Sequence, residues 1–136
     1  MTPEMTLPAT VGTVLILIGL LQIKHMFADY FLQTPKMLSG RSEYLHMGRA
    51  QHAGVHVIGS VVVFLIMGAS ALFIALLAVA EWFVHFNIDW GKARYSDAKG
   101  YGPYEAGYWR ANGFDQALHQ LTYLAMAWAW WEYTAV

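Results

Sequence analysis

The chain has 136 residues, 57% of them hydrophobic and only 12% charged, with a formal net charge of −1 and no cysteine. Soluble domains average about 25% charged residues, so this composition predicts one domain, integral to a membrane. The missing cysteine excludes disulfides, thiolate zinc sites and iron–sulfur ligation by this chain, and the near-neutral charge gives no basis for a nucleic-acid partner.

Residues 1–10 carry no Lys or Arg ahead of the first apolar run, which predicts a first segment that is not cleaved as a signal peptide. Residues 11–31 read as the first helix, since about 20 residues at 1.5 Å each cross a hydrocarbon core of roughly 30 Å. Thr34-Pro35 stops it, because the residue before proline avoids the helical region. A short polar stretch over 36–49 reads as an interfacial turn, and the second helix follows over 50–67. Gly68-Ala69-Ser70 is the break before a third helix over 71–90, which makes a tight helical hairpin. Residues 92–113 interleave Gly100, Gly102, Pro103, Gly107 and Gly113 with Tyr95, Tyr101, Tyr104, Tyr108 and Trp109, a pattern expected of a loop lying on the headgroups. The fourth helix, 114–133, ends in Trp128, Trp130, Trp131 and Tyr133, an aromatic belt at the opposite face.

Seven of the eight Lys and Arg fall in or beside the loops after the first and third helices, and the eighth, Lys24, is inside the first helix. By the positive-inside rule those loops are cytoplasmic and both termini face the other side. The expected fold is all-α: an integral membrane four-helix bundle, one domain over 1–136.

Each expected helix offers two ligand-type side chains four residues apart: His25 and Asp29, His52 and His56, His85 and Asp89, Asp115 and His119. On a helix, residues four apart share a face. With the alternating topology, His25, His56, His85 and His119 form a deep layer and Asp29, His52, Asp89 and Asp115 a shallow one, with Glu81 deeper still. The polar core then lies near the cytoplasmic side. Ionisable groups at membrane depth cost roughly 2.5–3.5 kcal/mol each and face the bundle interior with a partner. One or two divalent cations would compensate them; the alternatives are a metal-free network such as a proton path, or another cofactor such as haem on two of the deep histidines. Imidazole with carboxylate suits zinc first, and also iron, manganese or nickel, and bundle cores hold dinuclear sites with ligands from all four helices. Glu81 is the candidate general base, with a ligand or hydrogen-bonding role for His85 as alternatives. Gln33, Gln116 and Lys92 flank the shallow layer; the glutamines are placed to hydrogen-bond ligands, and Lys92 to snorkel or to meet a phosphate or headgroup. His46 reads as a surface histidine.

The segments His25-Met-Phe-Ala-Asp29-Tyr-Phe-Leu-Gln33, His52-x-x-x-His56, His85-Phe-Asn-Ile-Asp89-Trp-Gly-Lys92 and Asp115-Gln116-x-x-His119 resemble the bacterial membrane family catalogued as domain of unknown function 3307, over roughly residues 20–121. The resemblance implies a small multi-pass protein of the bacterial inner membrane, and brings no reaction with it. The long Gly/Tyr loop departs from the family pattern.

Three functions fit these residues. The first is a metal-dependent hydrolase acting on a lipid or other amphiphile at the cytoplasmic leaflet. The second is a structural or accessory subunit, or ion-handling protein, in which a cation staples the helices. The third is a di-iron oxidase or hydroxylase. The thin bundle and exposed aromatic belt also predict a homo-oligomer or membership of a larger membrane complex.

Overall fold

The structure, a computed structural model, describes residues 7–135. Six of the ten residues ahead of the first apolar run, 1–6, lie outside the described residues. All regular structure among the described residues is helical: α1 (Val11–Tyr30), α2 (Pro35–Leu38), α3 (Met47–Ile66), α4 (Ala71–Lys99) and α5 (Ala106–Thr134).

The helix ends follow ordinary capping chemistry. Thr10 and Thr13 form a reciprocal capping box at the start of α1, and Ser70 Oγ accepts from the Phe73 N–H at the start of α4. The α3–α4 hairpin turns at Gly68, whose φ of +73° suits glycine. α2 was not anticipated as a helix. Thr34 caps it and Pro35 occupies its first turn, where proline's missing N–H costs nothing.

The larger correction concerns residues 92–113. α4 continues to Lys99 and α5 begins at Ala106, so only residues 100–105 connect them. Of the glycines that suggested a loop, Gly100 is the left-handed cap of α4 at φ +66°. Gly107 lies inside α5, where an added Cβ would sit 2.4 Å from the Tyr101 ring. There glycine serves close packing rather than a turn. At about 43 Å each by the helical rise, these 29-residue helices are longer than a bilayer core.

α1 packs on α3 and α5, and α4 packs on the same two, so α1 and α4 lie diagonally opposite, as do α3 and α5. α2 rests on the start of α3, where Gly48 lets the Lys36 carbonyl approach closely. α1, α3 and α4 are long and apolar enough to cross a membrane. α5 is as long as α4 but falls short of that criterion, since Asn112, Asp115, Gln116, His119 and Gln120 interrupt its apolar residues. Outward positions such as Leu15, Ile16, Ile58, Leu72, Leu76, Val79 and Leu121 are exposed, an apolar exterior suited to lipid.

Candidate metal centre

The interior changes character along the helices. Toward the α3–α4 turn it is apolar, with Leu17, Leu21, Phe64, Tyr123 and Trp130 almost wholly buried. Lys24 marks the transition. Its Nζ reaches diagonally from α1 to Glu81 Oε1 on α4 at 2.5 Å, donates to the His56 carbonyl at 3.0 Å, and lies 4.6 Å from the centre of the Tyr123 ring. Both side chains of this ion pair are buried, and an unpartnered charge at such a place would be costly.

One turn further the four long helices each contribute an imidazole. His25 and His56 have ring centroids 5.0 Å apart, His56 and His85 3.8 Å, His85 and His119 4.2 Å, and His119 and His25 5.2 Å. Both diagonals measure 6.4 Å. The sides and diagonals describe a near-square of imidazoles.

Two carboxylates hold this square from the polar end. Asp29 lies 3.0 Å from His25 Nε2, 2.9 Å from His56 Nε2 and 3.4 Å from His52 Nε2. Asp89 lies 3.2 Å from His85 Nε2, 3.1 Å from His119 Nε2 and 3.4 Å from His52 Nε2. His52 therefore stands between the two aspartates, and Asp115 stands 3.6 Å from His119. The arrangement follows from the paired spacing: α1 and α4 each present His-x-x-x-Asp, while the antiparallel α3 and α5 return a histidine to the same level.

Gln116 ties the halves together. Its Oε1 is 3.2 Å from His25 Nε2, and its Nε2 donates to Asp115 Oδ2 at 3.2 Å and reaches Asp29 Oδ2 at 3.5 Å. Tyr123, absent from the sequence reading, places its hydroxyl 2.8 Å from His25 Nδ1 and so orients that ring. Gln33 bonds only Arg41, whose Nη2 donates to it at 2.9 Å, and Lys92 donates to Asn112 at 3.2 Å. Among the described residues, neither reaches a histidine or aspartate of the cluster. No hydrogen bond joins Glu81 to a histidine there either; Lys24 holds it. His46 is the N-cap of α3, its Nδ1 accepting from the Gly48 N–H at 3.1 Å, so its place is structural rather than merely superficial.

The donor set suits a transition metal. His25, Asp29 and His56 form one group with ligand atoms mutually within 4.8 Å; His85, Asp89 and His119 form a second with no shared residue, and His52, His56 and His85 a third that links them. Several buried atoms here have no hydrogen-bond partner: Nδ1 of His52 and His56, Nε2 of His85, and Oδ1 of Asp115. Buried polar atoms are normally satisfied, and a cation is one group that could supply a partner here. These groups could hold metal ions.

A polar cavity of about 400 Å³ opens above the cluster, with Asp29, His52, Asp89 and Asp115 among its walls. Arg49, which the sequence reading left at the edge of a loop, is the second residue missed. It is 3% exposed and lines the same cavity. The helical phase of α3 carries the signal, since Arg49, Ala53, His56 and Ser60 share one buried face.

A family model described as a protein of unknown function, DUF3307, matches residues 16–136. The chain belongs to this family. The match spans every residue of the histidine and aspartate cluster, and extends past residues 20–121 to include the aromatic end of α5. No curated protein and no solved structure matches the chain.

Proposed function

We propose that this member of the family is a membrane-embedded, metal-dependent hydrolase. It holds two divalent ions, zinc first among the candidates, and cleaves an ester or phosphoester of a lipid or other amphiphile at the cytoplasmic leaflet of the bacterial inner membrane. The observation that carries the reading is the conjunction of two separate His–Asp–His groups with a cavity reaching their carboxylates. A closed site with every position filled by protein favours a structural ion, whereas an open approach favours catalysis. When bound, such ions polarise an ester or phosphoryl oxygen and lower the pKa of water to about 7.

The protein's own residues divide the remaining work. Asp29 and Asp89 hold the imidazoles in orientation. Asp115 belongs to neither three-residue group, lines the cavity and has an unpartnered Oδ1, so it takes the role of general base. Glu81, the base expected from sequence, is given instead to neutralising Lys24. In this reading α5 crosses as a fourth span with Asp115 and His119 turned inward, both being buried. Both termini lie on the non-cytoplasmic side, as the distribution of Lys and Arg requires.

The test is turnover in lipid nanodiscs of zinc-loaded protein on phosphomonoester, phosphodiester and carboxyl-ester lipids. One class is hydrolysed, and Asp115→Asn lowers the rate at least about 100-fold while metal content is kept. Fully loaded protein inert on all three would overturn the hydrolase. One observation favours a structural ion instead: the first group joins α1 to α3 and the second joins α4 to α5, as staples would. Inert protein that unfolds on chelation is the result that selects it.

A further inference from the structure

Among the described residues, Arg49 is the one buried cation that the metal centre and the Lys24–Glu81 pair leave unexplained. Its guanidinium carbon lies 5.5 Å from the centre of the Phe86 ring, and Nε and Nη2 are buried without a hydrogen-bond partner. A guanidinium is planar, always charged and shaped to bind two oxygens of a phosphate at once. Held 97% out of solvent and lining a polar cavity, it keeps two donors free for an anion.

A second cavity, about 760 Å³, lies between α4 and α5. It is walled mainly by apolar side chains including Phe83, Ile88, Phe114 and Leu118, several of them on the outer surface where lipid lies. From Phe83 to Tyr95 it follows about 18 Å of helix at 1.5 Å per residue, a length for an extended hydrocarbon chain. Lys92, Tyr101 and Asp115 line both cavities. The polar chamber and the apolar groove therefore adjoin, with a lysine and a carboxylate at their junction.

From this geometry we infer that the two cavities form one bipartite site for a membrane lipid bearing a phosphate headgroup. Arg49 grips the phosphate in the polar chamber, and one acyl chain lies in the α4–α5 groove. Lys92 sits where the two parts meet and adds positive charge to the headgroup side. The inference names the substrate class for the hydrolase proposed above and rests on it only for what happens after binding. The occupant is a lipid rather than free phosphate because the groove has no use for an inorganic ion, and an anionic lipid rather than a neutral one because of Arg49.

The experiment is equilibrium binding of labelled dodecyl phosphate, dodecyl maltoside and inorganic phosphate to the full chain in a neutral detergent, both zinc-loaded and chelated. Wild type binds dodecyl phosphate above the other two probes. Arg49→Gln weakens dodecyl phosphate about tenfold or more, the worth of a charge-assisted hydrogen-bond pair, and Arg49→Lys restores part of it. Gly91→Phe fills the groove; Gly91 lines it, and an added Cβ there meets nothing within 4 Å, so the helix accepts the change. It weakens dodecyl phosphate about tenfold, the contribution of a few buried methylenes, and leaves inorganic phosphate unchanged. Equal binding of dodecyl phosphate by wild type and Arg49→Gln in both metal states overturns the inference, as does a Gly91→Phe protein that binds it like wild type. Zinc uptake without an Arg49 effect removes the lipid site and leaves the metal centre standing. An Arg49 effect without zinc uptake does the reverse.

Discussion

On one side of the Lys24–Glu81 pair the long helices close on Leu17, Leu21, Phe64, Met126 and Trp130; on the other they close on five imidazoles and three carboxylates. The two interiors belong to the same helices and are similarly buried, yet among the described residues they differ in the buried polar atoms left without a partner: Trp130 Nε1 at the apolar end, against several in the polar half. The apolar half is held by shape, since in lipid it is packing rather than escape from water that brings helices together. The polar half has unpartnered nitrogen and oxygen atoms in its centre and needs something further to balance them. The division runs along the bundle axis, with one ion pair at the boundary.

The boundary itself is where the comparison breaks most easily. Lys24→Met leaves Glu81 buried and unpaired and is expected to cost about 3–5 kcal/mol, read from reversible unfolding in mixed micelles. Combining it with Glu81→Met recovers most of that loss. A single mutant as stable as wild type would mean the pair is not a structural boundary. In the apolar half, Leu21→Ala costs about 2–5 kcal/mol by leaving a cavity, and metal content at saturation stays as in wild type. Metal lost along with stability would show that the two halves are not separable.

The reverse asymmetry is expected in the polar half. Gln116→Leu removes the hydrogen bonds to His25, Asp29 and Asp115 and weakens metal binding about 10–100-fold, measured by competition with a chromophoric chelator, with little change in unfolding. The smallest effect is at the rim. His46→Ala removes the cap of α3 at a cost of about 1 kcal/mol and leaves metal affinity alone. A large metal effect there would put His46 among the site residues.

Much of the polar half is legible from spacing alone. The four i, i+4 pairs, combined with alternating helix direction, bring His25, His56, His85 and His119 to one level, and their rings do meet. What spacing does not carry is the partner chosen by each group. Glu81 stands in register with His85 and Asp89, yet it reaches across to Lys24, because a lone cation deep in an apolar helix takes the nearest carboxylate. Lys24 and Glu81 both lie on the apolar side of the histidines, next to His25 and one turn before His85, a signal that depth would have given. Tyr123 and Arg49 were hidden differently. Tyrosine in an aromatic-rich helix looks like packing, and an arginine near an expected helix start looks like a loop. The length of α4 and α5 is hidden because glycine ordinarily reads as a helix breaker. At Gly107 the Tyr101 ring occupies the space of a side chain, a tertiary contact with no local trace.

Metal stoichiometry, measured by inductively coupled plasma mass spectrometry on tag-free protein, decides whether the polar half holds two ions, one in each His–Asp–His group. Two equivalents of a transition metal in wild type, one in Asp29→Ala, one in Asp89→Ala and none in the double variant is the predicted result. Folded wild-type protein that takes up no transition metal, or an Asp29→Ala variant that keeps both equivalents, would contradict it.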